Sequence, residues 1–83
     1  MKVLYFARFR QIIGRNGDEI VMPANVTKVG ELLEHLAATD AACAQAFSNR
    51  SVVRAAADQN HVALDFPLAG VREVAFFPPV TGG

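Results

Sequence analysis

The apolar and polar positions of this chain form five short stretches with the character of β-strands. β-branched, aromatic and other apolar side chains place these predicted strands at residues 3–9, 18–22, 52–57, 61–64 and 73–77. Gly14, Asn16 and Gly17 predict a turn between the first two, so an N-terminal β-hairpin is expected. Residues 58–60, with the sequence Asp-Gln-Asn, predict a second tight turn.

Two helices are predicted between the second and third strands. One apolar face, spaced as in a long helix, is formed by Val29, Leu32, Leu33 and Leu36. Thr27 is its predicted N-cap, with Gly30 where a full capping box has Glu or Gln. Alanine-rich residues 41–47 predict a second, shorter helix, capped by Thr39 or Asp40.

The order of these elements predicts an α+β fold. The first and last strands are the most continuously apolar, as central strands buried on both faces tend to be. If they pair in parallel, the long helix crosses one face of a mixed sheet of about five strands. That arrangement is a β-grasp, or ubiquitin-like, roll, and we expect it to form one domain over residues 1–77.

A single long helix covers only one face of the sheet, so large apolar residues are expected on the other face. Alternation along the strands places Phe6 and Phe77 there, with His61 on the same side. An exposed apolar patch usually marks a partner site. Alternatively, the second helix or a loop covers this face.

Residues 78–83, Pro-Pro-Val-Thr-Gly-Gly, predict a flexible tail whose chemical group is its own C-terminal carboxylate. Two prolines favour an extended segment, and glycines let other atoms approach the backbone closely. The residues between Val80 and Gly83 offer little area to bury, so we expect this segment to be mobile. The alternative is an ordinary frayed terminus.

Composition narrows the function further. The formal net charge is zero, with no basic stripe of the kind that binds nucleic acid. The apolar start is too short for a membrane span and lacks the pattern of a signal peptide, so no membrane partner and a cytoplasmic location are expected. Cys43 is the lone cysteine and is expected to be buried and inert; His35 and His61 are isolated, so no metal site is predicted.

Three segments together resemble one protein family. They are residues 2–8 (Lys-Val-Leu-Tyr-Phe-Ala-Arg), the apolar helix positions within 29–36, and residues 73–83 (Glu-Val-Ala-Phe-Phe-Pro-Pro-Val-Thr-Gly-Gly). The chain resembles, over its whole length, the small subunits of molybdopterin synthase, the MoaD-type sulfur carriers. Many ubiquitin-like carriers end in Gly-Gly, whereas the longer ending is characteristic of this family.

The resemblance implies a carrier that is not catalytic alone. A MoeB-type, E1-like adenylating enzyme would use ATP to convert the Gly83 carboxylate to an acyl-adenylate, and a sulfur donor protein would convert that to a thiocarboxylate. The tail would then enter a large, MoaE-type subunit of a heterotetramer, where sulfur passes to cyclic pyranopterin monophosphate to make molybdopterin. No cofactor bound by this chain is implied. The inserted residues would be Pro78, Pro79, Val80, Thr81, Gly82 and Gly83, with Phe6, His61 and Phe77 at the partner interface.

Three other functions stay open: a ThiS-type carrier for thiazole synthesis, a ubiquitin-like protein modifier, and a plain interaction module. The Phe-Phe-Pro-Pro segment and the chain length argue against the ThiS type. The chain also departs from the usual family pattern at Asp58, His61, Ala69 and Arg72. These departures leave the tail intact but affect surfaces that meet a partner.

Overall fold

The computed structural model describes residues 1–79, and the predicted tail residues 80–83 lie outside the described part. Strands β1 to β5 span Lys2–Tyr5, Gly17–Glu19, Arg54–Ala57, Asn60–Val62 and Glu73–Phe77. Helices α1 to α3 span Ala7–Ile13, Val29–Thr39 and Ala41–Ala46, and a single 3-10 turn spans Arg50–Val52. Within residues 1–79, no helix is long and apolar enough to cross a membrane.

The strands form one mixed sheet in the order β2-β1-β5-β3-β4. The central strands β1 and β5 run parallel, with Val3 opposite Val74 and Tyr5 opposite Phe76. The other neighbouring strands are antiparallel. This topology confirms the predicted α+β, β-grasp fold and the pairing of the first and last strands at its centre.

The core lies between the helices and one face of the sheet. The predicted apolar face of α2 is buried. At the centre, the ring of Phe47 packs against three aromatic rings, with centroid distances of 5.1 Å to Phe9, 5.4 Å to Phe76 and 6.2 Å to Tyr5. Because helices, the sheet and the segment after α3 all contribute to this cluster, it connects every layer of the domain.

The prediction of a strand over residues 3–9 and a simple hairpin was wrong in its second half. The strand ends at Tyr5, and Ala7–Ile13 form α1. Phe9 and Ile13 are four residues apart and both buried, so the segment presents an apolar side at helical spacing. Gly14 ends the helix in a left-handed conformation (φ +84°), and its N–H donates to the carbonyl of Arg10. A helix therefore separates the two antiparallel strands.

The predicted cap of α2 was off by one residue. The N-cap is Lys28, and the carboxylate of Glu31 accepts its N–H at 3.1 Å. The same carboxylate accepts the N–H of Thr27 at 2.7 Å and its hydroxyl at 2.8 Å. With Lys28 as the N-cap, the third helical position is Glu31 and not Gly30, so Glu31 supplies the capping-box carboxylate. Asp40 caps α3 as predicted, accepting the N–H groups of the next turn.

Strand β5 has its predicted bounds, whereas β2, β3 and β4 occur near their predicted places but are shorter. Asp58 and Gln59 make the turn between β3 and β4. Both have positive φ (47° and 71°), which lets a two-residue hairpin turn match the right-handed twist of the strands that it joins. Oδ1 of Asp58 also accepts the N–H groups of Arg72 and Glu73, each at 3.0 Å. Three of the four family departures, at Asp58, Ala69 and Arg72, therefore lie near the start of β5.

Candidate apolar docking face and tail root

The face of the sheet away from the helices carries the predicted interface residues. Phe6 follows β1, and Phe77 ends β5; the Phe6 N–H donates to the carbonyl of Phe76 at 3.1 Å, which holds the two strand ends together. Phe6 is 43% exposed and Phe77 is half-buried. We call the surface that they form with Leu4, Ala56 and Ala75 the open face.

The second helix does not cover the open face. Helix α3 packs against α1 and α2, on the helix-covered side of the sheet. On the open face Phe6 is exposed, whereas the small central residues Ala56 and Ala75 are buried. The part of the alternative in which the second helix covers this face was therefore wrong, and the exposure of Phe6 follows the predicted alternation.

His61 lies on the open face beside the end of β5. Its side chain is exposed, and its ring packs against the ring of Phe77 at 5.0 Å between centroids, tilted by 44°. It shares a cleft of about 240 Å³ with Arg54, Phe77 and Pro79. The cleft lies where the chain leaves the sheet, so we call it the tail root.

The described part of the tail begins at this root. Pro78 and Pro79 are half-buried and belong to no helix or strand, and Pro79 contributes to the cleft. The rest of the predicted site, Val80, Thr81, Gly82 and Gly83, lies outside the described residues. The structure thus brings Phe6, His61, Phe77 and the start of the tail together at one end of the sheet.

A polar network that sequence reasoning missed lies on the other side of the domain. The Tyr5 hydroxyl donates to Asp18 at 2.8 Å, and Arg15 bridges Asp18 and Asp40 at 2.8 Å and 2.7 Å. The Arg15 guanidinium holds the pKa of both carboxyls below the usual range. The sequence offered only a weak signal, since Arg15 and Asp18 are three residues apart and Asp40 is remote.

Cys43 is buried, as predicted, and its thiol donates to the Tyr5 hydroxyl at 3.8 Å. Burial raises the pKa of the Cys43 thiol, which disfavours the nucleophilic thiolate. Burial likewise raises the pKa of Tyr5. Among residues 1–79, no three His, Cys, Asp or Glu side chains come together as metal ligands would.

The fold and the open face define a small ubiquitin-like protein of the β-grasp class. A crystal structure of SAMP1 from Haloferax volcanii matches with a TM-score of 0.73 over 99% of this chain and 97% of that one, at 23% identity. A putative molybdopterin converting factor subunit 1 from Pyrococcus furiosus matches with a TM-score of 0.70 over 95% of each chain, at 28% identity. The SAMP1 likeness bears on the fold alone.

Sequence relatives narrow the class. The ThiS family model matches residues 3–83. The molybdopterin synthase sulfur carrier subunit of Escherichia coli K12 is 41% identical over all of this chain and 99% of its own length. The corresponding protein of Haemophilus influenzae is 34% identical over the same shares. This chain belongs to the ThiS family and, within it, to the molybdopterin synthase sulfur carrier subunits.

Proposed function

We propose that this chain carries sulfur for molybdopterin synthase on its C-terminal glycine. One observation carries the proposal: relatives named molybdopterin synthase sulfur carrier subunits align with the whole length of this chain, whose last two residues are glycines. The geometry supports it, because the tail starts beside an exposed apolar face at the end of a central strand. A partner that docks on this face would receive the tail directly.

In the proposed reaction, the Gly83 carboxylate attacks the α-phosphate of ATP in an E1-like adenylating partner and pyrophosphate leaves. The acyl-adenylate is electrophilic, since AMP is a good leaving group. A sulfur donor protein then supplies sulfur that displaces AMP, which leaves Gly83 as a thiocarboxylate. No acid, base or phosphate-binding group of this chain is needed in these steps, so the partners would provide them.

The charged carrier then docks on the large synthase subunit. Phe6 and Phe77 would anchor the open face, and residues 78–83 would enter the partner's active site. There the thiocarboxylate sulfur attacks a carbon of cyclic pyranopterin monophosphate, which joins Gly83 to the pterin through a thioester. Water then cleaves the bond between the Gly83 acyl carbon and the sulfur, so the sulfur stays on the pterin and the Gly83 carboxylate is freed. Two such rounds supply both sulfur atoms of the molybdopterin dithiolene.

The intact mass of the untagged chain tests this proposal. Incubation with ATP, an E1-like partner and a sulfide source should raise the mass by the difference between sulfur and oxygen. Deletion of Gly83 should abolish the gain while leaving thermal unfolding unchanged, because the buried core of the described residues extends only from Val3 to Phe76. An unchanged mass with a partner proven active on another carrier would contradict the proposal.

The same reactions separate the remaining alternatives. A protein modifier would form lysine conjugates visible on gels after ATP is added. A ThiS-type carrier would acquire the thiocarboxylate but would not convert the pterin substrate with the large synthase subunit. A plain interaction module would keep full function with a tag fused after Gly83.

A further inference from the structure

Arg54 lies at the corner of the open face from which the tail leaves. In the antiparallel pairing of β3 and β5, Arg54 is directly opposite Phe77, so both side chains lie on the same side of the sheet. Arg54 also lines the tail root together with His61 and Pro79. Its charge therefore lies on the proposed docking surface, next to an aromatic anchor.

Arg54 differs from the arginines that join parts of the fold. Arg15 and Arg50 each close ion pairs with carboxylates at 2.7–2.8 Å. Nη1 of Arg54 instead donates to two backbone carbonyls, those of Ser51 at 2.9 Å and Val53 at 3.3 Å. These bonds restrict the guanidinium without neutralising it.

The surroundings of Arg54 leave its positive charge uncompensated. The described residues that line the tail root include no Asp or Glu. Within residues 1–79, the two bonds to backbone carbonyls both use Nη1, and no ion pair to Arg54 is formed. A guanidinium has five N–H donors in a planar fork, so Nε and Nη2 keep donors for an external acceptor. The two bonds thus hold the side chain in place, while its charge is not paired with a carboxylate and Nε and Nη2 can still donate hydrogen bonds.

Docking on the open face changes the surroundings of this charge. A partner that covers Phe6 and Phe77 also removes water from Arg54, which is adjacent to Phe77. A cation that loses its water without gaining a counter-charge strongly opposes binding. A carboxylate matches the guanidinium fork in both charge and shape. The favourable partner surface is therefore apolar at its centre and acidic opposite Arg54.

We propose that Arg54 binds a carboxylate side chain of the large synthase subunit and so helps this carrier to select its partner. The inference rests on the proposed function, since it assumes that the large subunit covers the open face. A surface that lacks the acidic group would be rejected, because it would leave Arg54 dehydrated and unpaired.

Binding of the full chain to the purified large subunit from the same organism, measured by titration calorimetry, tests this inference. Arg54→Glu should weaken binding about 100-fold and Arg54→Leu about 10-fold, with Arg54→Lys between Leu and the wild type. The loss in Arg54→Leu should shrink as salt rises from about 50 mM to about 500 mM. Arg10→Glu is the matched control, because it makes the same charge reversal at an exposed arginine of α1, the helix that packs against α3; its affinity should stay within about twofold of wild type.

Thermal unfolding of each variant ensures that a loss of affinity is not a loss of fold. The inference is overturned if Arg54→Glu binds within about threefold of the wild type, or if the loss in Arg54→Leu is the same at both salt concentrations. In those cases the wild type still binds and the proposed function stands. If the wild type itself does not bind the large subunit, both the proposed function and this inference fail.

Discussion

Phe76 and Phe77 are neighbours in the chain, yet their side chains lie on opposite faces of the sheet. Phe76 is fully buried in the aromatic cluster around Phe47. Phe77 is half-buried on the open face and contacts the ring of His61. Because strand geometry alternates side chains, one dipeptide contributes both to the core and to the proposed docking surface. The helix-covered face therefore stabilises the fold, whereas the open face is left for the proposed partner.

The largest stability effect should come from the covered face. Phe76→Ala removes a ring that packs 5.4 Å from Phe47 and leaves a cavity at the centre of the domain. We expect it to lower the free energy of unfolding by about 3–5 kcal/mol. Urea unfolding followed by circular dichroism measures this, and a loss below about 1 kcal/mol would contradict the assigned core.

The adjacent substitution on the open face is the matched control. Phe77→Ala should lower the free energy of unfolding by about 1 kcal/mol or less, because the ring already contacts solvent. It should weaken binding to the large synthase subunit by at least about 30-fold, as expected of an aromatic anchor near the centre of an interface. Equal effects of the two substitutions on both stability and binding would remove the distinction between the faces.

At Gly17, on the open face, substitution should change the free energy of unfolding and not the affinity for a partner. It pairs with Leu4, and a Cβ added to it would clash with the backbone carbonyl oxygen of Val3. The backbone would have to shift, so Gly17→Ala should cost about 3 kcal/mol, at the upper end for overpacking. Gly14→Ala, the control, meets no atom within 4 Å and suffers only from its positive φ; about 1 kcal/mol is expected. A smaller loss at Gly17 than at Gly14 in urea unfolding would show that β1 and β2 can separate cheaply.

The sequence was informative where one pattern dominated. The apolar face of α2 and the alternation in the first and last strands predicted the covered core, the exposure of Phe6 and the place of Phe77. In residues 3–9, apolar positions satisfy both a strand and a helix period, so sequence alone favoured a longer strand. In the folded protein, residues 7–13 form a helix because Phe9 packs against Phe47 and Gly14 ends the helix in a left-handed conformation.

The tail root was less predictable than the open face. Phe6, Phe77 and His61 could be assigned to one side by counting along each strand. The position of Arg54 opposite Phe77 depends on the register between β3 and β5, which a single sequence does not specify. The same holds for the Arg15 bridge to Asp40, whose partners are 25 residues apart. Long-range pairings of this kind follow from the packed fold, not from local pattern.

The polar network that Arg15 forms with Asp18 and Asp40 should have a smaller effect on the free energy of unfolding. Since folding lowers the pKa of Asp18 and Asp40 below the ordinary value of 3.8, it stabilises their ionised forms. This contribution is fully present above that value and is lost as the pH falls through the lowered pKa of each carboxyl. The free energy of unfolding should therefore drop between about pH 5 and about pH 2, and the drop should be smaller in Arg15→Gln. Equal slopes in the two proteins would show that Arg15 does not set these pKa values.

The smallest effect should appear at Ala7, the residue between exposed Phe6 and buried Phe9. Ala7 has a positive φ of 53°, in the left-handed region where an L-residue is strained by about 1–2 kcal/mol. Ala7→Gly relieves that strain but loses about 0.4–1 kcal/mol through the greater freedom of the unfolded chain. The net result should be stabilisation by about 0.5 kcal/mol, visible as a higher urea midpoint.

Ala41→Gly provides the control for Ala7, because each alanine is exposed and begins a short helix. Ala41 is not among the described residues with positive φ, so glycine there brings only the entropic cost. We expect a loss of about 0.5–1 kcal/mol, opposite in sign to the change at Ala7. If both substitutions destabilise the fold equally, the left-handed conformation of Ala7 carries no strain. If they differ as expected, the chain accepts that strain at the point where Phe6 turns toward the open face and Phe9 enters the core.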